Sequence, residues 1–150
     1  MTGTVASLVT RGARALSRSH AIGALSHRTG VKIPTIRYYE EIGLLPAAIR
    51  SGGGRRVYQD ADVRRLAFIR HARDLGFEID AIRDLLQLAD RRDGPCAAAD
   101  AIARRHAVEI DQKIAKLKHL RRELSRMIDG CHQSDIRTCK VIEALAGKAH

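Results

Sequence analysis

The side chains with the most specific chemistry in this 150-residue chain are its three cysteines, Cys96, Cys131 and Cys139. Thiolates are soft ligands, and three of them suit zinc, cadmium, lead or mercury far better than magnesium or calcium. An odd, small number of cysteines does not make a disulfide framework, so a reducing cytosol is expected. The Cys131-x7-Cys139 spacing is looser than a CxxC knuckle. Alone it fits a ligand pair and two unremarkable thiols equally. Cys96 adds a constraint, because it directly precedes a long helical pattern over residues 97–129 and Cys131 directly follows it. At about 1.5 Å per residue the ends of that helix stand roughly 50 Å apart, so these cysteines cannot meet within one chain. Antiparallel pairing of two helices would bring Cys96 of one protomer beside Cys131 and Cys139 of its partner, and a parallel pair would place each cysteine against its own copy. The combined placement favours a shared three-thiolate metal site. His132 is a possible further ligand, with a solvated loop histidine as the plainer reading.

Other chemistries find little support. His27, His71, His106 and His119 stand singly on helical segments, as surface or interface histidines do. The chain has no HExxH and no HxE…PCxxC pattern, which leaves a small zinc-dependent enzyme a remote alternative. Cys131 and His132 are adjacent, point apart, and have no orienting acid nearby. The Ser51–Gly54 run lacks the Gly-Lys-Ser/Thr that a nucleotide-binding loop needs. No catalytic residue is expected.

The elements that would position these groups follow from charge and periodicity. The chain carries 27 Lys and Arg against 17 Asp and Glu, a net charge of +10. Most of the excess lies before residue 58, where a polyanion should dock. Ile22 and Leu25 precede a Thr29-Gly30 break, and Pro34 opens a second helical stretch that Gly43 closes, the form of a helix-turn-helix. Thr35, Arg37, Tyr38 and Tyr39 project from that second helix as candidates for base and phosphate contact, one tyrosine being expected to pack inward. The Gly-rich tip before Arg55-Arg56-Val57-Tyr58 reads as a β-hairpin or wing. Asp60 is the expected cap of a helix striped by Val63, Leu66, Ala67, Ile69 and Leu75, with Arg64, Arg65 and Arg70 available for backbone contacts, and Phe77 and Ile79 open another helix. Ala103, Ile110, Leu117 and Leu124 recur every seven residues, as do Ala107, Ile114 and Ile128, which predicts a coiled-coil seam and hence a homodimer. No run approaches the roughly 18 apolar residues of a membrane span.

The segments therefore read as a disordered basic extension over residues 1–19, with an organellar transit peptide as its rival; a DNA-binding domain over 20–91; a dimerisation helix over 96–130; and a metal-binding loop with a short helix over 131–150. The runs IGALSHRTGVKIPTIRYYEEIGLLP and GGGRRVYQDADVRRLAFIRHARDLGFEIDAIRDLLQLAD strongly resemble the MerR family of bacterial transcription regulators. The resemblance implies a mainly α fold: a winged helix-turn-helix, a long antiparallel coiled-coil dimerisation helix and a C-terminal inducer loop. It implies that Arg37, Tyr38 and Tyr39 lie in or beside the major groove and that Arg55, Arg56 and Tyr58 hold backbone phosphates. It also implies a cytoplasmic, homodimeric regulator acting with RNA polymerase on promoter DNA, distorting an over-long spacer when its inducer binds. The chain is similar in particular to the metal-sensing branch, where a cysteine at the Cys96 position marks sensors of divalent ions and a serine marks sensors of monovalent copper, silver and gold. The inducer expected on that ground is zinc, cadmium, lead or mercury bound by Cys96, Cys131 and Cys139. A relative sensing Cu(I), thiol stress or an organic ligand is the alternative.

Overall fold

A computed structural model describes residues 18–131 and 135–147; most of the basic extension, and His132, lie outside the described residues. The order of elements is β1 (His20–Ala21), α1 (Ile22–Thr29), α2 (Ile33–Glu41), β2 (Ile49–Arg50), β3 (Arg56–Tyr58), α3 (Asp60–Asp74), α4 (Ile79–Asp90), α5 (Cys96–Asp129), a 3-10 turn (Ile136–Thr138) and α6 (Lys140–Ala146). The mainly α architecture matches the expected one. The chain divides into two compact units, one ending at Ile102 and one beginning at Ala103.

In the first unit, glycines stop helices where the chain must reverse. Gly30 ends α1 in the left-handed region at φ 70°, its N–H returning to the Ser26 carbonyl at 2.8 Å, a conformation that only glycine adopts freely. Pro34 lies in the first turn of α2, where a missing N–H removes no helical bond. The β3 strand is the centre of a three-stranded antiparallel sheet ordered β1-β3-β2, with His20 opposite Tyr58 and Ile49 opposite Val57. The hairpin expected from the glycine run is thus present, and β1 adds a strand that no periodicity announced. A two-residue strand has no pattern of its own; the partner across the ladder makes it.

Leu25, Ile36, Leu44, Leu45, Tyr58, Leu66, Ile69, Ile82 and Leu86 are the largest fully buried side chains among the described residues, drawn from α1, α2, β3, α3, α4 and the turn after α2. Two expectations about α3 are corrected. Its cap is Gln59, not Asp60: the Gln59 N–H donates to Asp62 Oδ2 at 2.8 Å in a reciprocal capping box. Leu75 leaves the apolar stripe and is 67 % exposed, because α3 ends at Asp74 and Gly76 turns the chain at φ 84° before Leu75 can complete the face.

The second unit is plainer. The 34-residue α5 crosses the unit boundary unbroken, and its seam residues Ile110, Ile114, Leu117, Leu124 and Ile128 are exposed. After Gly130 the 3-10 turn and α6 follow. Among the described residues no helix is long and apolar enough to cross a membrane.

Candidate nucleic-acid interface and thiol pair

Helical period sorts the side chains of α2. Pro34, Arg37, Tyr38 and Glu41 fall at i, i+3, i+4 and i+7 and are all exposed, while Ile36 and Tyr39 turn into the core. Tyr38 is 49 % exposed and Tyr39 only 7 %, with ring centroids 5.9 Å apart. The adjacent tyrosines divide as two neighbours on one helix must. Burial raises the Tyr39 hydroxyl above its ordinary value, the Arg73 charge opposing. Thr35 is half-buried at the border of the exposed face.

The wing supplies the second group of cations. The Ser51 N–H bonds to the Arg55 carbonyl and the Gly54 N–H to the Ser51 carbonyl, both at 2.8 Å, while Arg50 Nη1 donates to the Gly54 carbonyl at 3.0 Å. Arg55 is exposed at this tip. Arg56 is partly withdrawn, its Nη1 3.7 Å from Glu40 Oε2 on α2.

Tyr58, expected to hold a phosphate, does not face outward. It is fully buried. Its hydroxyl lies beside the Glu40 carboxylate and is pushed up to about 12, by desolvation first and by Glu40 next. Tyr39 is likewise a core ring, so Tyr38 is the tyrosine of the pair with a surface to offer. Of the three arginines expected to make backbone contacts, Arg65 is drawn inward, whereas Arg64 and Arg70 are exposed. Arg65 Nε donates to the Leu44 carbonyl at 2.9 Å and Nη1 pairs with Asp90 at 3.2 Å. Arg70 donates to the Thr29 carbonyl, capping the end of α1.

Sequence reasoning passed over Arg28, Lys32 and Arg50, all exposed. Arg28 and Lys32 flank Gly30, and cations on both sides of a helix-turn-helix turn were a signal available to find them. It also passed over His20, whose Nε2 sits 2.6 Å from Asp60 Oδ1 and, by that hydrogen bond, holds the Asp60 carboxyl below its ordinary value. Forty residues separate the pair, so only the β1–β3 ladder reveals it. His27, His71 and His119 are exposed, whereas His106 is buried with Nδ1 3.5 Å from Glu109 Oε2.

In the second unit, Gly130 and the 3-10 turn fold the chain so that the Cys131 and Cys139 sulfurs lie 3.5 Å apart, both partly buried and both free thiols. The Ile142 backbone N–H, then the Cys131 thiol and the Val141 N–H, pull the Cys139 thiol below its ordinary value. Two soft donors, one of them biased toward thiolate, suit a thiophilic cation. Among the described residues of one chain, no three His, Cys, Asp or Glu side chains converge. Cys96 stands at the start of α5, exposed, at the rim of an apolar cleft of about 230 Å³ lined by Phe68, Leu85, Leu88 and Pro95.

A helix pair turned at Gly30, with an exposed cationic face on its second helix and a basic hairpin beside it, defines a winged helix-turn-helix DNA-binding protein. Two family descriptions match: "MerR HTH family regulatory protein" over residues 21–89 and "MerR, DNA binding" over residues 63–127. Heavy metal-dependent transcription regulator 2 of Rhizobium meliloti is 40 % identical over 125 residues, 83 % of this chain and 85 % of that protein. The fold is similar to that of the transcription regulator PbrR691 from Ralstonia metallidurans CH34 in complex with lead(II), with a TM-score of 0.75 and 34 % identity over 84 % of this chain and 98 % of that one. It is also similar to the dual-function regulator MerR of Bacillus megaterium MB1 in complex with mercury(II), with a TM-score of 0.66 and 31 % identity over 85 % of this chain and 99 % of that one. The chain belongs to the MerR family of helix-turn-helix transcription regulators. It is a DNA-binding regulator and not an enzyme.

Proposed function

We propose that the protein is a dimeric, metal-responsive regulator that binds promoter DNA through α2 and the wing and responds to a divalent thiophilic ion held by Cys131, Cys139 and the partner's Cys96. The observation that carries the metal reading is the 3.5 Å separation of the Cys131 and Cys139 sulfurs. With a zinc–thiolate bond of about 2.3 Å, the edge of a tetrahedral site is roughly 3.8 Å, whereas two collinear bonds of that length would hold the sulfurs about 4.6 Å apart. Sulfurs in contact at this distance need separate only slightly to reach a tetrahedral edge, and the choice of a divalent ion over Cu(I) rests on the third thiol, Cys96. The relatives crystallised with lead(II) and mercury(II), and the one named for heavy-metal dependence, support the same reading.

On DNA, Arg37 and Tyr38 would face the major groove from α2, and the exposed Arg55 and Arg50 of the wing, with Arg28 and Lys32 beside the turn at Gly30, would hold phosphates. The seam Ile110, Leu117 and Leu124 needs a second helix, and an antiparallel partner is the arrangement that supplies the third thiol. A bound divalent ion would supply the bonds tying the loop to the partner's helix start. Activation by RNA polymerase would then follow from a dimer whose bound conformation distorts the promoter spacer, through DNA deformability. The effector must favour that conformation over the resting one, since equal affinity for both shifts nothing.

Titration with cadmium or mercury should build a thiolate-to-metal absorption band that falls sharply when Cys96, Cys131 or Cys139 is replaced by Ser. An unchanged band in the triple mutant removes the metal reading. A thiol-stress sensor is the second reading, favoured by the same close sulfurs and by the bias of Cys139 toward thiolate. Alkylation sensitivity without metal binding would establish it. Arg37→Ala should weaken operator binding in a gel shift by about 1–3 kcal/mol for a bidentate base contact, and equal binding would mean that α2 is not the reading helix.

A further inference from the structure

The inner edge of the DNA-binding surface holds a carboxylate that the family reading leaves without a task. Glu40 is carried on α2, one residue after Tyr39, with its side chain only 11 % exposed. Its Oε2 faces the Arg56 guanidinium at 3.7 Å. Its Oε1 and the Tyr58 hydroxyl are buried atoms without a hydrogen bond of ordinary geometry among the described residues, although the Glu40 carboxylate lies close enough to raise the Tyr58 pKa. A buried carboxylate on a helix that meets phosphates is costly in two ways. It is desolvated, and its charge opposes the ligand. A leucine there would have avoided both costs.

We infer that Glu40 is a positioning residue for DNA binding: it holds the wing cation Arg56 at a set distance from the recognition helix, and Tyr58 beneath it braces the carboxylate. The wing is a two-strand hairpin with glycines at its tip, and an arginine on such an element loses much rotamer freedom when it meets a phosphate. An ion pair formed before DNA arrives removes part of that loss. Arg56 can serve both partners, because a guanidinium has five donors in a planar fork and keeps donors to spare beside the Glu40 carboxylate and the Tyr58 hydroxyl. The side chain is still 39 % exposed, which leaves the rest of the fork for a phosphate. Placement explains why the pair is split between α2 and β3: the contact fixes the wing to the recognition helix, so that base reading and phosphate clamping share one register. The Tyr58 hydroxyl, pushed up to about 12 by burial first and by Glu40 next, stays neutral throughout the working range and adds no second negative charge beside the carboxylate.

The inference rests on Arg56 acting as a phosphate contact, and the test separates that premise from the proposal. The full-length protein is titrated into a labelled random-sequence duplex over a series of salt concentrations, because phosphate contacts are independent of sequence. Removing one phosphate-binding cation lowers the slope of log affinity against log salt by about 0.9 per protomer. Arg56→Gln should lower the slope by that amount; an unchanged slope removes the premise and the proposal with it. Glu40→Gln should lower it by a similar amount and weaken binding, and the double variant should be no weaker than Arg56→Gln alone. Additive losses, or tighter binding by Glu40→Gln, overturn the proposal while leaving the Arg56 contact standing. Glu40→Leu fills the same buried space without a polar atom and should show the same slope, which keeps the test decisive if the glutamine variant unfolds. A thermal melt unchanged by Glu40→Leu, together with a lowered slope, is a result that a purely structural role would not produce.

Discussion

Leucines meet opposite fates in the two units of this chain. Leu25, Leu44, Leu45, Leu66 and Leu86 are fully buried in the winged unit, whereas Leu117 and Leu124 on α5 are 64 % and 55 % exposed. Full burial of such a side chain is worth about 1.5–3 kcal/mol. The winged unit collects that stabilisation within one chain. The α5 seam presents the same apolar chemistry at heptad spacing and leaves it in water until another surface covers it. One unit thus encloses its apolar side chains within one chain, and the other leaves those of its described residues open. The thiols divide too: Cys131 and Cys139 lie 3.5 Å apart in the second unit, while Cys96 opens α5 in the first.

The contrast can be broken at several points. Leu66→Ala should cost about 2–5 kcal/mol, read from denaturant unfolding, while Leu117→Ala should leave the melt of a dilute chain nearly unchanged and shift light scattering from dimer toward monomer. Equal unfolding costs would show that the seam is buried within one chain. A smaller effect, about 1–3 kcal/mol, is expected for Gly30→Ala, since the left-handed φ strains any side chain and an added Cβ would run into the Arg70 guanidinium. Gly52→Ala, where nothing lies within 4 Å, should be close to neutral by the same measurement.

Tyr58 sharpens the picture of the closed unit in alkali. Its folded pKa of about 12 stands above the ordinary 10, so the stability it lends is complete below pH 10 and is lost as pH rises toward 12. Tyrosinate absorbance and the urea midpoint should change together over that window, and Tyr58→Phe should flatten the loss. A small effect belongs to Asp60. The His20 hydrogen bond lowers its pKa, so its contribution is present above the ordinary carboxylate pKa and disappears as pH falls through the folded value. Asp60→Asn should therefore be slightly less stable than the parent near neutrality and indistinguishable from it in acid. A difference that persisted in acid would exclude the His20 pairing as its source.

Much of the fold was legible because it depends on local rules. Gly30 and Gly76 announced helix ends through the left-handed conformation that they alone adopt freely, and Pro34 announced a helix start. The Tyr38–Tyr39 pair announced one inward and one outward ring, since neighbours on a helix point about 100° apart. The site was less legible where a side chain had a choice of partners. Arg56, Arg64, Arg65 and Arg70 look alike in sequence. The structure gives Arg65 the Leu44 carbonyl and Asp90, Arg70 the Thr29 carbonyl and Arg56 the Glu40 carboxylate, and leaves Arg64 and Arg70 exposed. Tyr58 was misplaced for a related reason: the resemblance attached it to the wing's cations, and only the pairing of β1 with β3 turns it inward.

The sequence by itself determined the order of the helices and the hairpin, the cationic front, the heptad seam and the separation of Cys96 from the other two cysteines, because periodicity, turn chemistry and helix rise act between near neighbours. Tertiary structure decided which arginines remain exposed, that the Tyr58 ring belongs to the core beside Glu40, and that Cys131 and Cys139 come within 3.5 Å. Those outcomes depend on which distant groups share a buried space, where an unpaired polar atom is costly, and no spacing along the chain encodes that distance.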